Sequence, residues 1–539
     1  MRAIRLDPRT RLTFRQRAPA WIDRLVRAAT ARRPGHAAYA RRLDDVIRQR
    51  LAIYPLKASV GQFSLVTCLY KGSLATPFEQ TAESVFGQTS SNFEWVILAQ
   101  GSIDSQVGRV LNRVAADPRT KVLSLPTNLG IIGGLRHCLE RATGKYIVPL
   151  DGDDLLTPDA LSVVASELHR APRPLIYSDE DIWFDRGLAS PFLRPDWDPV
   201  LNLSCSYIFH LMAFDRRIAM ETGVFLDPAA NWCQDWDTVC RFARAGHTPV
   251  HLAEVLYHWR AHDGSSTNTA EPNPASLESQ RHVLSESLRD IGQEHLFEIR
   301  PFPLFRGAPE WWLARRRIQP ASFDLACTSQ VTPAMQSDEI ASQYPFSRCV
   351  SAHDVPSLAK AVRESRSELF TVVQEGVLPE GDLWPWEAQG LFSLHPDLDL
   401  LGGRIVNPHN IVLGGPERLD AEANCSCPYR GLLAVEPGEL ALALKPHTIE
   451  SPNSAFFVAR TAFLQHAIAQ IPQQATIQFL GPWLALLARS NRRRVAFSPL
   501  LSANARSGFD CLMQPSPEER SAYQTCERRW NSGIRSAAG

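Results

Sequence analysis

Short apolar runs alternate with amphipathic stretches from residue 63 onward. Phe63 to Tyr70 reads as an apolar strand, Thr76 to Gln88 as a helix and Phe93 to Leu98 as a second strand. A helix near Val107 to Ala116, a strand at Lys121 to Leu125 and a helix from about Gly133 to Ala142 continue the series. Tyr146 to Leu150 is then a short buried strand that stops at a knot of acids, Asp151, Asp153 and Asp154. Such alternation signals βαβ units and a parallel sheet. Ligands of open parallel sheets gather beyond the carboxyl ends of strands, which is where Tyr70, Gln100 and Asp151 fall.

With 539 residues the chain is long for one core, so two or three domains are expected. The formal net charge of zero hides an asymmetry: residues 1 to 58 hold fifteen Lys or Arg against four Asp or Glu. This segment either lies on anionic lipid or forms solvated helices, since Trp21, Ile22, Leu25 and Val26 offer only a modest apolar face. No run of eighteen apolar residues occurs and the arginine-rich start lacks the apolar middle of a secretory signal. A cytoplasmic location is expected, with peripheral contact at the cytoplasmic face of the inner membrane open. The eleven cysteines are irregularly spaced and read as reduced thiols.

Three acids in four residues repel one another, and burying one without a partner costs several kcal/mol or forces it to take a proton, about 2–5 pKa units of perturbation. A divalent cation, Mg2+ or Mn2+, removes that difficulty and also holds a diphosphate. The alternative is a solvated acidic turn leading into the helix that Thr157, Pro158 and Asp159 begin. Asn128, Gly130, Gly133 and Gly134 lead into the preceding helix, where glycines allow backbone N–H groups to approach an anion. A packing turn has the same composition.

The order Gln88-Thr89, FEWVIL, Gly101-Ser102-x-Asp104, NLG and GKYIVPLDGDD resembles the family 2 inverting glycosyltransferases of GT-A fold. LIYSDED (Leu175 to Asp181), Arg194 to Trp197, QDWDTVCR (Gln234 to Arg241) and LYHWRAHDGS (Leu256 to Ser265) resemble the bacterial branch that builds O-antigen, capsule or rhamnan chains. The resemblance spans about residues 63 to 266. It implies metal-binding roles for Asp151, Asp153 and His258, with Asp153 the more direct ligand and His262 an open second choice. It implies Asp235 as the base that deprotonates the acceptor, although Gln234 stands where Glu is usual. Tyr70, Gln100, Asn128, Gly130, Gly134, Asp151 and Arg260 fall on the nucleotide-sugar side, and Asp179, Asp181 and Trp236 on the acceptor side. Ala99-Gln100 replaces the usual Asp-Asp, which leaves the base open between uracil, thymine and another.

The second half reads as a damaged copy of the first. SRSELFTVVQEGVLP (Ser365 to Pro379) aligns in style with the GKYIVPLDGDD region, with Gln374-Glu375-Gly376 in place of D-x-D and Gly481-Pro482 in place of Glu-Asp. Phe63 lies 88 residues before Asp151, whereas Phe323 lies 51 before Gln374, a shortfall that removes one βαβ portion.

The expected class is α/β. It comprises a basic helical segment (1–60), a GT-A domain with a Rossmann-like, mainly parallel sheet (61–300), a connection (301–320), a degenerate GT-A-like domain (321–515) and a C-terminal tail (516–539). The expected activity moves a sugar from a nucleotide-diphosphate donor, UDP- or dTDP-linked, to a bacterial surface polysaccharide or lipid-linked glycan. No nucleic-acid partner is expected. The different-class alternative is a non-catalytic scaffold of a glycan-assembly complex, which predicts no metal-linked nucleotide affinity.

Overall fold

A computed structural model describes residues 42–50, 63–184, 187–261, 273–305, 310–328, 346–512 and 514–536. Most of the basic N-terminal segment, and His262, lie outside the described residues. The chain divides into two compact units. One comprises Met1–Trp197, Ser206–Ile291 and Gly307–Pro309; the other comprises Asp198–Cys205, Gly292–Arg306 and Glu310–Gly539.

Among the described residues the first unit is built on nine strands: β1 (Phe63–Leu69), β2 (Phe93–Gln100), β3 (Thr120–Leu125), β4 (Tyr146–Pro149), β5 (Leu155–Leu156), β6 (Leu175–Phe184), β7 (Gly187–Phe192), β8 (Met212–Asp215) and β9 (Val250–Arg260). They run in the order β3-β2-β1-β4-β8-β6-β9-β5, with β7 on β6. The β3-β2-β1-β4 half is parallel, β8 is antiparallel to both β4 and β6, and β6 is parallel to β9. Helices α1 (Ala75–Phe86), α2 (Ser105–Val114), α3 (Gly130–Arg141), α4 (Ala160–Arg170) and α5 (Gln234–Arg244) connect or flank the strands. Trp95 is fully buried, and its indole N–H donates to Thr67 Oγ1 at 2.9 Å. That hydroxyl donates in turn to Leu150 O at 2.8 Å, tying β2 and β1 to the residue before Asp151. The acid turn is thereby anchored to the apolar core, where a polar group is retained only if it is hydrogen-bonded.

Residues 42–50 form a helix, the described end of the basic segment. Leu43 and Ile47 pack on Val255, and buried Arg50 grips Asp159 through two bonds of 2.8 and 3.2 Å and also reaches Glu254. This part of the segment is therefore docked on protein rather than on lipid or in water.

In the second unit the main strands are β10 (Phe323–Thr328), β11 (Arg348–Ala352), β12 (Leu369–Gln374), β13 (Val377–Pro379), β14 (Leu398–Val406), β15 (Val412–Gly414), β16 (Phe456–Arg460) and β17 (Arg494–Ala505). Their order is β11-β10-β12-β16-β14-β17-β13, with β15 on β14. Every pairing has the sense of its counterpart in β2-β1-β4-β8-β6-β9-β5. Among the described residues the sheet thus repeats the first one without a counterpart of β3, in the part of the chain where the shortened spacing predicts a loss. Helices α6 (Trp384–Leu394) and α7 (Leu480–Ser490) occupy the places of α4 and α5. The stretch expected as a connection, 301–320, instead carries a strand, Trp311–Arg315, paired antiparallel with Phe297–Pro301, because Trp311, Leu313 and Ala314 are apolar and buried. The expected tail is a helix, Pro517–Ser536, pinned by Tyr523 against Trp483 and Phe479.

Candidate active site

Where β4 ends, the chain turns through Asp151 and Asp154 toward His210, which stands two residues before β8. One ligand atom from each of these three lies within 4.8 Å of the others. Asp151 is two-thirds exposed (66%), whereas Asp154 is buried, with Tyr257 Oη donating to one oxygen at 2.7 Å and the Arg260 N–H to the other at 2.7 Å. Burial pushes the Asp154 carboxyl well above the usual carboxylate range; His210 opposes the shift and Asp153 and Asp151 add to it. The His210 ring stacks on Tyr257 at 4.8 Å and lies 3.3 Å from Glu180 and 3.7 Å from Asp151. Burial works against its imidazolium, but the carboxylates of Asp151 and Glu180 outweigh it and raise the ring well above its ordinary pKa. The same Glu180 oxygen is also paired with Arg194, at 3.0 Å.

Asp235, the second residue of α5, faces the same group. Burial pushes its carboxyl up to about 6; His210 restrains the shift, while Asp151 and Glu180 add to it. A carboxylate of that basicity, near the positive end of a helix and beside the Asp151, Asp154 and His210 cluster, is suited to taking a proton near neutral pH.

A model of glycosyl transferase family 2 matches residues 64–219. The putative glycosyltransferase EpsE of Bacillus subtilis is 36% identical over 187 residues, which cover 34% of this chain and 67% of EpsE. The chain belongs to glycosyl transferase family 2. An uncharacterized protein of Sinorhizobium fredii, y4gI, is 35% identical over 272 residues, 49% of this chain and 29% of y4gI. The O-antigen biosynthesis protein RfbC of Myxococcus xanthus is 28% identical over 233 residues, 43% of this chain and 18% of RfbC. The chain spans less than a third of the length of these two relatives.

Several residues expected in family roles lie elsewhere in the network. Asp153 and His258 belong to no such three-residue cluster among the described residues. His258 Nδ1 sits 2.6 Å from fully buried Asp181, and the imidazole that joins Asp151 and Asp154 in the three-residue cluster is that of His210. Asp179 accepts from the Arg194 N–H at 2.7 Å and pairs with His251 at 2.9 Å. Asp179, Asp181 and Trp236, expected on the acceptor side, are all buried, because β6 is central to the sheet and Trp236 is on the core side of α5.

Gln100 is 3% exposed. Its amide oxygen accepts from the Leu129 N–H at 3.0 Å and its NH2 donates to Gly130 O, so it braces the 129–130 turn rather than presenting an edge to a base. Asn128 caps the same turn by accepting from the Gly130 N–H at 2.8 Å. The Ile131 and Ile132 N–H groups at the start of α3 donate to Asn231 Oδ1 at 3.0 and 3.2 Å. Gly134 serves packing, since a Cβ there would lie 2.5 Å from the Gln100 amide and 2.8 Å from Cys68 Sγ. Tyr70 is half exposed at the end of β1, with its ring lying over Gly72. Arg260 supports the acid turn by donating through Nε to Asp153 O, while its buried Nη2 has no acceptor among the described residues.

Strand register transfers each group onto the second unit. Phe63 pairs with Tyr146 as Phe323 pairs with Leu369, which sets Gln374 at the place of Asp151 and Val377 at that of Asp154. Tyr146 pairs with Asp215 as Leu369 pairs with Arg460, which sets Ala455 at the place of His210. Gly481, second in α7, takes the place of Asp235. A Cβ at Gly481 would lie 2.3 Å from Pro452 O, so backbone fills the space of that carboxylate.

Proposed function

We propose that the first unit transfers a sugar from a nucleotide-diphosphate donor to a hydroxyl of a growing bacterial polysaccharide or lipid-linked glycan, with inversion at the anomeric carbon. The observation that carries this reading is the convergence of Asp151, Asp154 and His210 beside a carboxylate, Asp235, whose pKa is raised to about 6. Two carboxylates and an imidazole fit Mn2+ or Mg2+, and the nitrogen ligand favours Mn2+. Asp154 has one hydrogen bond on each oxygen and keeps further lone pairs for an ion, while Asp151 opens to solvent. When bound, such an ion neutralises the charge that develops on the departing diphosphate.

Asp235 takes the proton from the acceptor hydroxyl. That oxygen then forms its bond to the anomeric carbon as the carbon–oxygen bond to phosphate breaks on the opposite face. Arg194 and Glu180 orient the His210 ring. Tyr70 offers an exposed face to the donor base, and Arg260 retains a donor for a phosphate oxygen. The named role of RfbC in O-antigen biosynthesis supports a polysaccharide acceptor. Cytoplasmic action fits nucleotide-sugar chemistry, and no described helix is long and apolar enough to cross a membrane.

Turnover tests the reading. Asp235→Asn should lower kcat by about 10²–10⁴-fold with donor KM nearly unchanged, and the product from wild type should carry the anomeric configuration opposite to the donor's. Wild-type kcat in Asp235→Asn, or a product of retained configuration, would refute it.

A further inference from the structure

The second unit keeps none of the four groups of the acid cluster, but it contains a cavity of about 380 Å³ between the Phe297–Pro301 and Trp311–Arg315 ribbon and the start of α6. Helix α6 opens with Trp384-Pro385-Trp386. Trp384 is fully buried in the core, while Trp386 is partly exposed and lines the cavity. Trp312 lines it too, and its indole N–H donates to Glu387 Oε2 at 2.7 Å. The other oxygen of Glu387 accepts from Ser498 Oγ at 2.7 Å, so the plane of Trp312 is fixed from behind.

The charges on the wall do not balance. Arg300 and Arg316 share Glu298, and Arg317 pairs with Asp382. Arg315 has no such partner: its Nε and Nη1 are buried and find no acceptor among the described residues, and its guanidinium rests over the Phe297 ring at 5.6 Å. Four guanidiniums thus stand against two engaged carboxylates, Glu298 and Asp382, and Glu368 acts on Arg315 only through space, without an ion pair among the described residues. A buried donor without an acceptor is costly and is found where a ligand or ion completes it.

We propose that this cavity binds an acidic sugar residue of a glycan, its carboxylate received by Arg315 and its pyranose ring against Trp312 and Trp386. A guanidinium pairs with a carboxylate through parallel N–H bonds. The electron-rich face of an indole attracts the positively polarised C–H groups of a pyranose ring, as it does other positive edges. The volume falls in the lower range for small-ligand sites. Nucleobase recognition fits less well, because reading a base takes acceptors as well as donors, and the Glu298 and Asp382 carboxylates are engaged. Choosing a glycan among anionic ligands rests on the polysaccharide-building reading of the first unit. The site then acts as a holding point for an acidic chain and takes no part in bond making.

The test uses the full chain carrying Asp235→Asn, without donor, so that binding is read apart from transfer. The probes are a hexasaccharide of alternating glucuronate and N-acetylglucosamine, the same hexasaccharide with its carboxylates reduced to hydroxymethyl groups, inorganic phosphate, and UDP. Calorimetry and tryptophan fluorescence should show the acidic hexasaccharide binding at least tenfold tighter than the reduced one, with fluorescence quenched. Arg315→Met and Trp386→Ala should each lose at least tenfold; Trp386 is partly exposed, so its variant keeps the test open if the Arg315 variant misfolds. Equal affinity for the reduced hexasaccharide, unchanged binding in folded Trp386→Ala, or displacement by phosphate or UDP at equal concentration would overturn the assignment. Transfer by wild type without glycan binding here would count against this site alone, and binding without transfer against the first unit's reading alone.

Discussion

Asp235→Asn should stabilise the metal-free protein while removing its activity. Burial raises the Asp235 carboxyl to about 6 from an ordinary 3.8, so at pH 8 the ionised group costs about 3 kcal/mol at 1.36 kcal/mol per unit. An asparagine avoids that cost but loses roughly 0.3–1 kcal/mol of favourable interaction with the N-terminal end of α5. The net gain is then about 2 kcal/mol, or roughly 4–8 °C in Tm for a domain of this size. The sign follows from linkage. The folded protein holds this proton more tightly than the unfolded chain, so the wild-type carboxyl contributes stability at low pH that is lost as pH rises from about 4 through 6. The advantage of the variant should therefore grow by about 1.4 kcal/mol between pH 5 and pH 8. Paired thermal and urea melts in chelator, at both pH values, measure this directly. A difference independent of pH, or a variant less stable at pH 8, would refute the desolvated, charge-crowded environment assigned to Asp235.

Other outcomes follow from the same geometry. His210→Ala should weaken Mn2+ binding by at least about tenfold and His258→Ala by less than about twofold, read by calorimetry; the opposite ranking would restore His258 as ligand. Because His210 is held protonated by Asp151 and Glu180, wild-type Mn2+ affinity should rise with pH through the His210 titration and release a proton on binding, and a flat pH profile would contradict this. Arg50→Ala should cost about 3 kcal/mol in urea melts by leaving Asp159 buried and unpaired, whereas a change below about 0.5 kcal/mol would show that the helix over 42–50 is not docked. Gly481→Asp should destabilise the protein by more than about 3 kcal/mol without adding any transfer, since its side chain meets Pro452 O; a stable variant would show that the space is open.

Much of the architecture was legible because it rests on local pattern. Apolar runs set β1, β2 and β4, and the shortened spacing pointed to a lost βαβ portion, in keeping with the lack of a β3 counterpart among the described strands of the second sheet. Asp235 was picked out only by the family resemblance, whereas the acid turn was also readable as chemistry out of place in a core. His210 was not, since it lies in an apolar stretch from Tyr207 to Met212 with no local signal and reaches the acids only because β8 runs between β4 and β6. Alternation could not sort Asp179, Glu180 and Asp181 by face, because the β6–β9 register shifts on both sides of Asp179. Asn231 fills the helix start that glycines seemed to leave for an anion, and its partners lie about a hundred residues away in sequence, at separations of 100 and 99. The bonds of Gln100 to Leu129 and Gly130 were hidden for a related reason: side-chain type tells what an amide can bind, whereas its turn decides what it does bind.

The central claim is that Asp151, Asp154 and His210 hold an ion that grips the donor's diphosphate. Calorimetric titration of UDP and dTDP into wild type, Asp151→Ala and His210→Ala, with Mn2+ and with chelator, tests it most directly. Binding by wild type should be at least about tenfold tighter with Mn2+, and both variants should lose that gain. Equal affinity in chelator, or a metal-linked gain that survives in both variants, would contradict the account.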